Sequence, residues 1–302
     1  MPTPAPVMYP LGPPVVTGST LTVDTALQQP SRVTRRIADL TLQRFITSRI
    51  FAQGGTVTGG AVVYDQATLN ELYLSRDVQR VSPGEEFPIV GGQRQTPKVA
   101  LVEKWGGKFE VTDEARDRND TGLFNSQVVQ LANTIVRKVD QRAVAELDAA
   151  ITAVGAAGTF VGHNWGTVVT AGTSATSNSG YPAADFAAAQ LAADIDELGV
   201  TYDLWLVNPL QKANLAIVYG DKLQAMLDSF GIREVYASNR IANGVGYAVA
   251  SQQVGEIRVE KALSSESWRE PGTESTWLQS SVRPVVYVTN PYSIKKVTGL
   301  NG

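Results

Sequence analysis

The longest regular alternation of apolar and polar positions in this chain leads up to Val154. Phe124, Val128, Leu131, Ile135, Val139, Ala143, Leu147, Ile151 and Val154 recur at intervals of three and four. That spacing draws one apolar stripe along a helix. Arg137, Lys138, Gln141, Arg142 and Asp148 fall largely off the stripe, and Gly155 predicts its end. A helix of roughly 30 residues is ~45 Å long, close to the ~50 Å diameter expected for a compact chain of this size. The pattern therefore predicts a spine. It is preceded by a strand-like Lys108–Val111, by Thr112 as an N-cap with Asp113 and Glu114 behind it, and by a polar break over Arg118–Gly122.

Upstream, residues 1–30 hold seven prolines (2, 4, 6, 10, 13, 14 and 30) and no basic residue, the composition of an extended arm. From Ser31 the pattern predicts an amphipathic helix, with Val33, Ile37, Leu40, Phe45 and Ile50 set among Arg32, Arg35, Arg36, Arg44 and Arg49. It reads as a surface helix packing its apolar side. Gly54-Gly55 and Gly59-Gly60 bracket a turn-rich joint; with no Gly-Lys-Ser/Thr after them they do not make a phosphate loop. Strands are predicted at Ala61–Tyr64, Val78–Val81, Phe87–Val90 and Pro97–Glu103, the last two flanking a hairpin tip at Gly91–Gln95. Phe87 and Ile89 would then face Val99 and Leu101 as a narrow apolar strip, with Arg94 and Lys98 near the tip. A two-stranded ribbon is marginal alone. It needs its own subunit or a neighbour, and Phe87, Ile89, Arg94 and Lys98 are the candidate inter-subunit contacts.

After the spine, Ala149 to Ala184 contains no Asp, Glu, Lys or Arg and reads as loop, with short strands at Thr159–Val161 and Thr167–Thr170. A helix is predicted over Ala183–Leu198, with Phe186, Leu191, Ile195 and Leu198 inward and Gly199 as its stop. Leu204–Val207 reads as a buried strand, and Asn208-Pro209 as the cap and first residue of the next helix. Ile232–Ala237 and Val245–Ala250 follow as strands joined through Asn243-Gly244, then Glu256–Ala262. This block reads as a mixed α/β domain. Trp277–Arg283, Val285–Thr289 and Ser293–Thr298 are predicted strands that return to the sheet beside the spine.

Composition narrows the function classes. The 302 residues are 43% hydrophobic and 18% charged, as in soluble globular proteins. A net charge of −3 argues against a general nucleic-acid-binding protein. No cysteine is present, so disulfide and thiolate chemistry are excluded. No apolar run approaches the ~20 residues of a membrane span, and the N-terminus lacks a signal-peptide pattern, so a cytosolic site is expected. The single histidine, His163 in Gly162-His163-Asn164-Trp165-Gly166, has no Gly-x-Ser-x-Gly elbow to accompany it, and reads as a loop histidine beside an aromatic residue. Zinc sites of Cys and His are excluded by number. Glu85-Glu86, Asp113-Glu114 and Asp194/Asp196 read as solvated charge, and the five tryptophans as scattered. No catalytic, cofactor or metal site is expected.

The order of parts carries more information than any single site. A proline-rich arm, an arm helix and a long β excursion lead into Phe109-Glu110-Val111-Thr112-Asp113-Glu114-Ala115 and the spine. An α/β block with Leu206-Val207-Asn208-Pro209 follows, then Arg283-Pro284-Val285-Val286-Tyr287-Val288 and Asn290-Pro291-Tyr292-Ser293-Ile294. This layout resembles the major capsid proteins of tailed bacteriophages, of the Hong Kong phage-type capsid fold. The resemblance implies an α+β fold divided into an N-terminal arm (1–45), a peripheral domain (46–61, 108–154 and 277–302), an extended β-hairpin loop (62–107) and an axial domain (155–276). It also implies a non-enzymatic protein of the virion, assembled in the host cytoplasm as hexamers and pentamers. These form an icosahedral shell that encloses double-stranded DNA without reading its sequence. A separate scaffold protein and a portal are the implied partners, with no membrane. Two alternatives stand beside it: an encapsulin-like nanocompartment shell and, from another class, a monomeric hydrolase using His163.

Overall fold

The computed structural model describes residues 22–42, 45–68, 78–91, 96–197 and 199–301. The chain forms two compact units. The first draws on residues up to Phe45, Val102–Val139 and Val259–Pro284; the second on Ile46–Leu101, Asp140–Arg258 and from Val285 onward. In chain order the elements are α1 (Val23–Gln28), α2 (Pro30–Leu42), α3 (Thr47–Ile50), β1 (Ala52–Thr56), β2 (Ala61–Tyr64), β3 (Lys98–Leu101), β4 (Trp105–Thr112), α4 (Asp113–Asp117) and α5 (Thr121–Val154). There follow β5 (Thr159–Val161), α6 (Pro182–Ile195), β6 (Leu204–Val207), α7 (Pro209–Tyr219), α8 (Leu223–Ser229), β7 (Glu234–Ala237), β8 (Gly246–Val249), β9 (Gly255–Glu270), β10 (Ser275–Val288) and β11 (Ile294–Thr298).

The expected spine is α5, 34 residues long and ended by Gly155 at φ +80°. Its stripe serves two cores. Phe124, Val128 and Ala132 pack with Val23, Leu27, Val33, Ile37, Val111 and Leu278 in the first unit. Ala143, Leu147 and Ile151 pack with Ile46, Ile50 and Phe51 in the second. The same division corrects the predicted arm helix, which stops at Leu42 and resumes as α3 instead of running through Ile50. Val33 and Ile37 belong to one core and Ile46 and Ile50 to the other. The break is held by Asp140 of α5, whose Oδ1 accepts from Ile46 N at 3.0 Å and from Thr47 Oγ1 at 3.1 Å.

In the first unit β4 and β10 pair antiparallel from Ser275↔Thr112 to Val282↔Trp105. They belong to a four-stranded sheet of order β1-β9-β10-β4, whose strand β1 falls in the second unit. Thr112 caps α4 as expected, its Oγ1 accepting from Ala115 N at 3.3 Å. β10 is one strand where two were expected. Pro284, which cannot donate, falls beyond the last β4 pair.

In the second unit a five-stranded mixed sheet runs β5-β11-β8-β6-β7. β6 pairs parallel with β7 and antiparallel with β8. β7 and β8 are therefore not a hairpin: β6 lies between them, and Asn243-Gly244 only turns the chain. β11 does not join the sheet of β10 and β4 but lies between β8 and β5. Because alternate residues of a strand point to opposite faces, Leu204 and Leu206 enter one core with α5, while Trp205 and Val207 enter another with α6 and α7. Helix α6 turns Phe186, Ala189 and Ala193 inward and leaves Leu191 and Ile195 exposed, against expectation. Leu198 lies outside the described residues. The small alanines let α6 lie close on the sheet, and Trp205 fills the space with Phe186, ring centres 4.5 Å apart. Val78–Val81, Phe87–Val90 and Thr167–Thr170 are not strands.

Candidate functional site

The predicted ribbon exists with a different partner strand. β3 pairs antiparallel with β2, in the register Ala61↔Leu101, Val62↔Ala100, Val63↔Val99 and Tyr64↔Lys98. Phe87 and Ile89 therefore do not face Val99 and Leu101; Ala61 and Val63 do. The reason is legible in hindsight, since Pro88 cannot donate to a ladder and Ala61–Tyr64 offers four residues without proline. One face of the ribbon is packed: Val62 is buried, and the Tyr64 ring lies 4.8 Å from that of Tyr287. The other face is bare and apolar, with Val63, Val99 and Leu101 exposed at 67, 59 and 69%. Phe87 and Ile89 are likewise exposed, at 77 and 88%. Val63 was missed in the sequence; its signal was the alternation within Ala61–Tyr64.

Arg94, with residues 92–95 of the expected tip, lies outside the described residues. Lys98 donates from Nζ to Gln66 Oε1, and Gln66 Nε2 donates in turn to the Val288 carbonyl at 3.2 Å. Ala67 N donates to Thr289 O at 2.7 Å. Behind the ribbon, Glu256 Oε2 accepts from the Tyr287 hydroxyl and from Arg258 Nε, both at 2.7 Å. Those two bonds hold the Glu256 carboxyl below the usual range, while burial and the same carboxylate push the Tyr287 hydroxyl up to about 12. The ribbon base is thus tied to β9 and β10, and its outer face is exposed.

His163 has a structural setting. Its backbone N donates to both oxygens of Asp185, at 3.2 and 3.0 Å, and its Nδ1 lies 2.7 Å from Asp185 Oδ1. Trp165 Nε1 donates to Asp185 Oδ2 at 2.7 Å. Asp185, fully buried on α6, thereby fixes the loop 162–166, which is also bonded to β11 and its C-terminal extension through Gly162 N to Thr298 O and Trp165 N to Leu300 O. Among the described residues no group of three or more His, Cys, Asp or Glu could hold a metal ion, and no helix is long and apolar enough to cross a membrane.

The tryptophans are not scattered in the fold. Trp165 and Trp205 meet in the second unit around Phe186, and Trp268 and Trp277 both approach Lys108 in the first.

The sequence matches the family described as phage capsid protein over residues 95–297. No curated protein matches it. Among solved structures, the virus-like particle from Pyrococcus furiosus superposes with a TM-score of 0.59 at 12% identity, covering 88% of this chain and 98% of that one. The capsid of cyanophage P-SCSP1u gives 0.58 at 15% identity over 85% of this chain and 89% of that one. The capsid of Myoviridae phage XM1 gives 0.54 at 13% identity over 86% and 97%. At such identities the likeness speaks to the fold, which is the α+β fold of phage capsids. With the family match over more than half its length, the chain belongs to the phage capsid protein family, the major capsid proteins of the Hong Kong phage-type fold.

Proposed function

We propose that this protein assembles as hexamers and pentamers into a closed icosahedral shell, the head of a tailed phage, enclosing double-stranded DNA. The observation that carries this reading is the ribbon: a rigidly anchored two-stranded element whose outer face is apolar and uncovered by its own subunit. Exposed apolar clusters of this kind mark interaction surfaces. In this proposal the neighbour covers Val63, Val99 and Leu101, with Phe87 and Ile89 alongside and Arg94 and Lys98 adding charge. Residues 155–276 serve as the axial domain, 62–107 as the extended loop, and 46–61, 108–154 and 277–302 as the peripheral domain. The protein is not an enzyme: His163 supports a loop, and Asp185 is used up in holding that loop's backbone and Trp165. Assembly takes place in the host cytoplasm, with a separate scaffold protein and a portal as partners.

A second reading, a nanocompartment shell with other contents, is favoured by the likeness to the virus-like particle of P. furiosus. Electron microscopy of particles purified from producing cells, followed by nuclease treatment and extraction, tests both. Closed particles holding protected double-stranded DNA are expected; closed particles holding protein cargo select the second reading, and a protein that stays monomeric with scaffold and portal supplied overturns both.

A further inference from the structure

Helix α2 buries its apolar side and leaves its arginines in solvent. Val33 and Ile37 enter the core shared with Phe124, Val128 and Ala132 of α5. The Thr34 flank faces the sheet, where Thr34 Oγ1 accepts from Ser265 N at 2.9 Å. Arg32, with Arg35 and Arg36 three and four residues further on, occupies the other flank, and all three are exposed. Arg137 and Lys138 of α5, in the same unit, are exposed as well. Among the described residues none of these five has an ion-pair partner.

The carboxylates of the neighbouring elements are placed differently. Asp113 pairs with Arg116 at 3.1 Å and with Arg269 at 2.6 Å, Asp117 pairs with Arg116 at 3.1 Å, and Asp120 Oδ1 accepts from Leu123 N at 2.9 Å. Residues 121–139 of α5 contain no Asp or Glu, and α2 contains one, Asp39. Together the two stretches carry five basic side chains against one acidic, in a chain of net charge −3. Acidic groups of this unit are thus spent on its own arginines and caps, while the helix surface keeps cations without a counter-charge.

A polyanion supplies that counter-charge. Four of the five cations are arginines, whose planar guanidinium matches phosphate oxygens in a two-pronged hydrogen bond. Contacts of this kind position a duplex and carry no base readout. We infer that the outer surface of α2 and the first part of α5 is turned to the shell's interior and binds the phosphate backbone of the enclosed duplex, an inference that rests on the shell reading above. Arg32, Arg35, Arg36, Arg137 and Lys138 are the phosphate ligands. The acidic total of the chain fits this role: one subunit alone holds DNA weakly, whereas many copies around one duplex act together.

Unassembled full-length chain, titrated with a short fluorescent DNA duplex of mixed sequence from low salt upward, provides the test. Each phosphate contact contributes about 0.9 to the fall of log K with log salt. Arg35→Gln with Arg36→Gln should flatten that slope by about 2, and Arg137→Gln with Lys138→Gln should do likewise. Lys212→Gln with Lys222→Gln, both exposed and in the second unit, should leave it unchanged. All three variants should melt like wild type by circular dichroism. Wild-type slopes in both first-unit variants, an equal loss in the Lys212/Lys222 variant, or no binding at the lowest salt overturns the inference. Tighter binding of poly-glutamate than of the duplex, lost in the same two variants, also overturns it, by assigning the surface to an acidic protein. The titration needs no particles, so failure of the shell reading shows separately, as wild-type chain that never closes into particles with scaffold and portal supplied.

Discussion

The carboxylate of Asp140, midway along the longest helix, accepts a hydrogen bond from the backbone N–H of Ile46, 94 positions earlier in the chain. The contact replaces a turn of helix in the arm with a fixed break, and the Thr47 hydroxyl adds to it. Burial raises the Asp140 carboxyl to about 6, while the Thr47 and Ile46 hydrogen bonds and the charge of Arg240 act in the opposite direction.

That shift has a definite pH signature. With a folded pKa above the unfolded one, the folded state binds the proton more tightly. The group's stabilising contribution is full below pH 4 and is lost as pH rises through about 6. At about 1.4 kcal/mol per pKa unit the loss amounts to roughly 3 kcal/mol. The melting temperature of the unassembled subunit minus that of Asp140→Asn should fall between pH 4 and 6 and be flat above. A difference that rises with pH would contradict the assignment.

The stripe of α5 should behave as core at both ends. Ile135 and Leu147 are buried, and truncating such residues to alanine costs about 2–5 kcal/mol. Ile135→Ala and Leu147→Ala should each lower the urea midpoint with little change in slope. Wild-type midpoints for both would mean that the stripe is not load-carrying in the folded chain.

For the ribbon, assembly and folding should separate. Val99→Glu with Leu101→Glu changes only exposed side chains, and exposed substitutions usually stay within about 0.5 kcal/mol. The variant should melt like wild type by circular dichroism yet give few or no particles by light scattering. Arg94→Glu with Lys98→Glu should also reduce particle yield. Normal particles from the Val99/Leu101 variant would show that this face is not an interface.

Asp185 and His163 should differ sharply. Asp185→Ala leaves the buried Trp165 N–H without its acceptor, and a buried unsatisfied donor costs about 1–3 kcal/mol. His163→Ala removes a ring that is 49% exposed and should leave the melting temperature nearly unchanged. If His163→Ala were the more damaging of the two, the loop-support role of Asp185 would be wrong.

Local patterns alone determined much of this protein. The three-and-four spacing from Phe124 to Val154 set the long helix, Thr112 and Asn208 set helix starts through short-range side-chain capping, and the unbroken apolar run Leu204–Val207 set a central strand. In each case the energy comes from residues within a few positions, or from burial that any core would supply. Only the tertiary structure decided where two cores compete. The arm stripe was cut between Ile37 and Ile46 because the two isoleucines bury in different units and Asp140 satisfies the broken backbone. Strand partnership was equally hidden: β3 took β2 and not the segment at Phe87, and β11 took β8, since pairing depends on hydrogen bonds between residues tens of positions apart. Leu191 and Ile195 read as inward on hydrophobicity, yet Ala189 and Ala193 went inward because small side chains let α6 lie close against Trp205 and Phe186. The meeting of Trp268, Trp277 and Lys108 had no local signature at all, because three strands brought together residues that no spacing in the sequence connects.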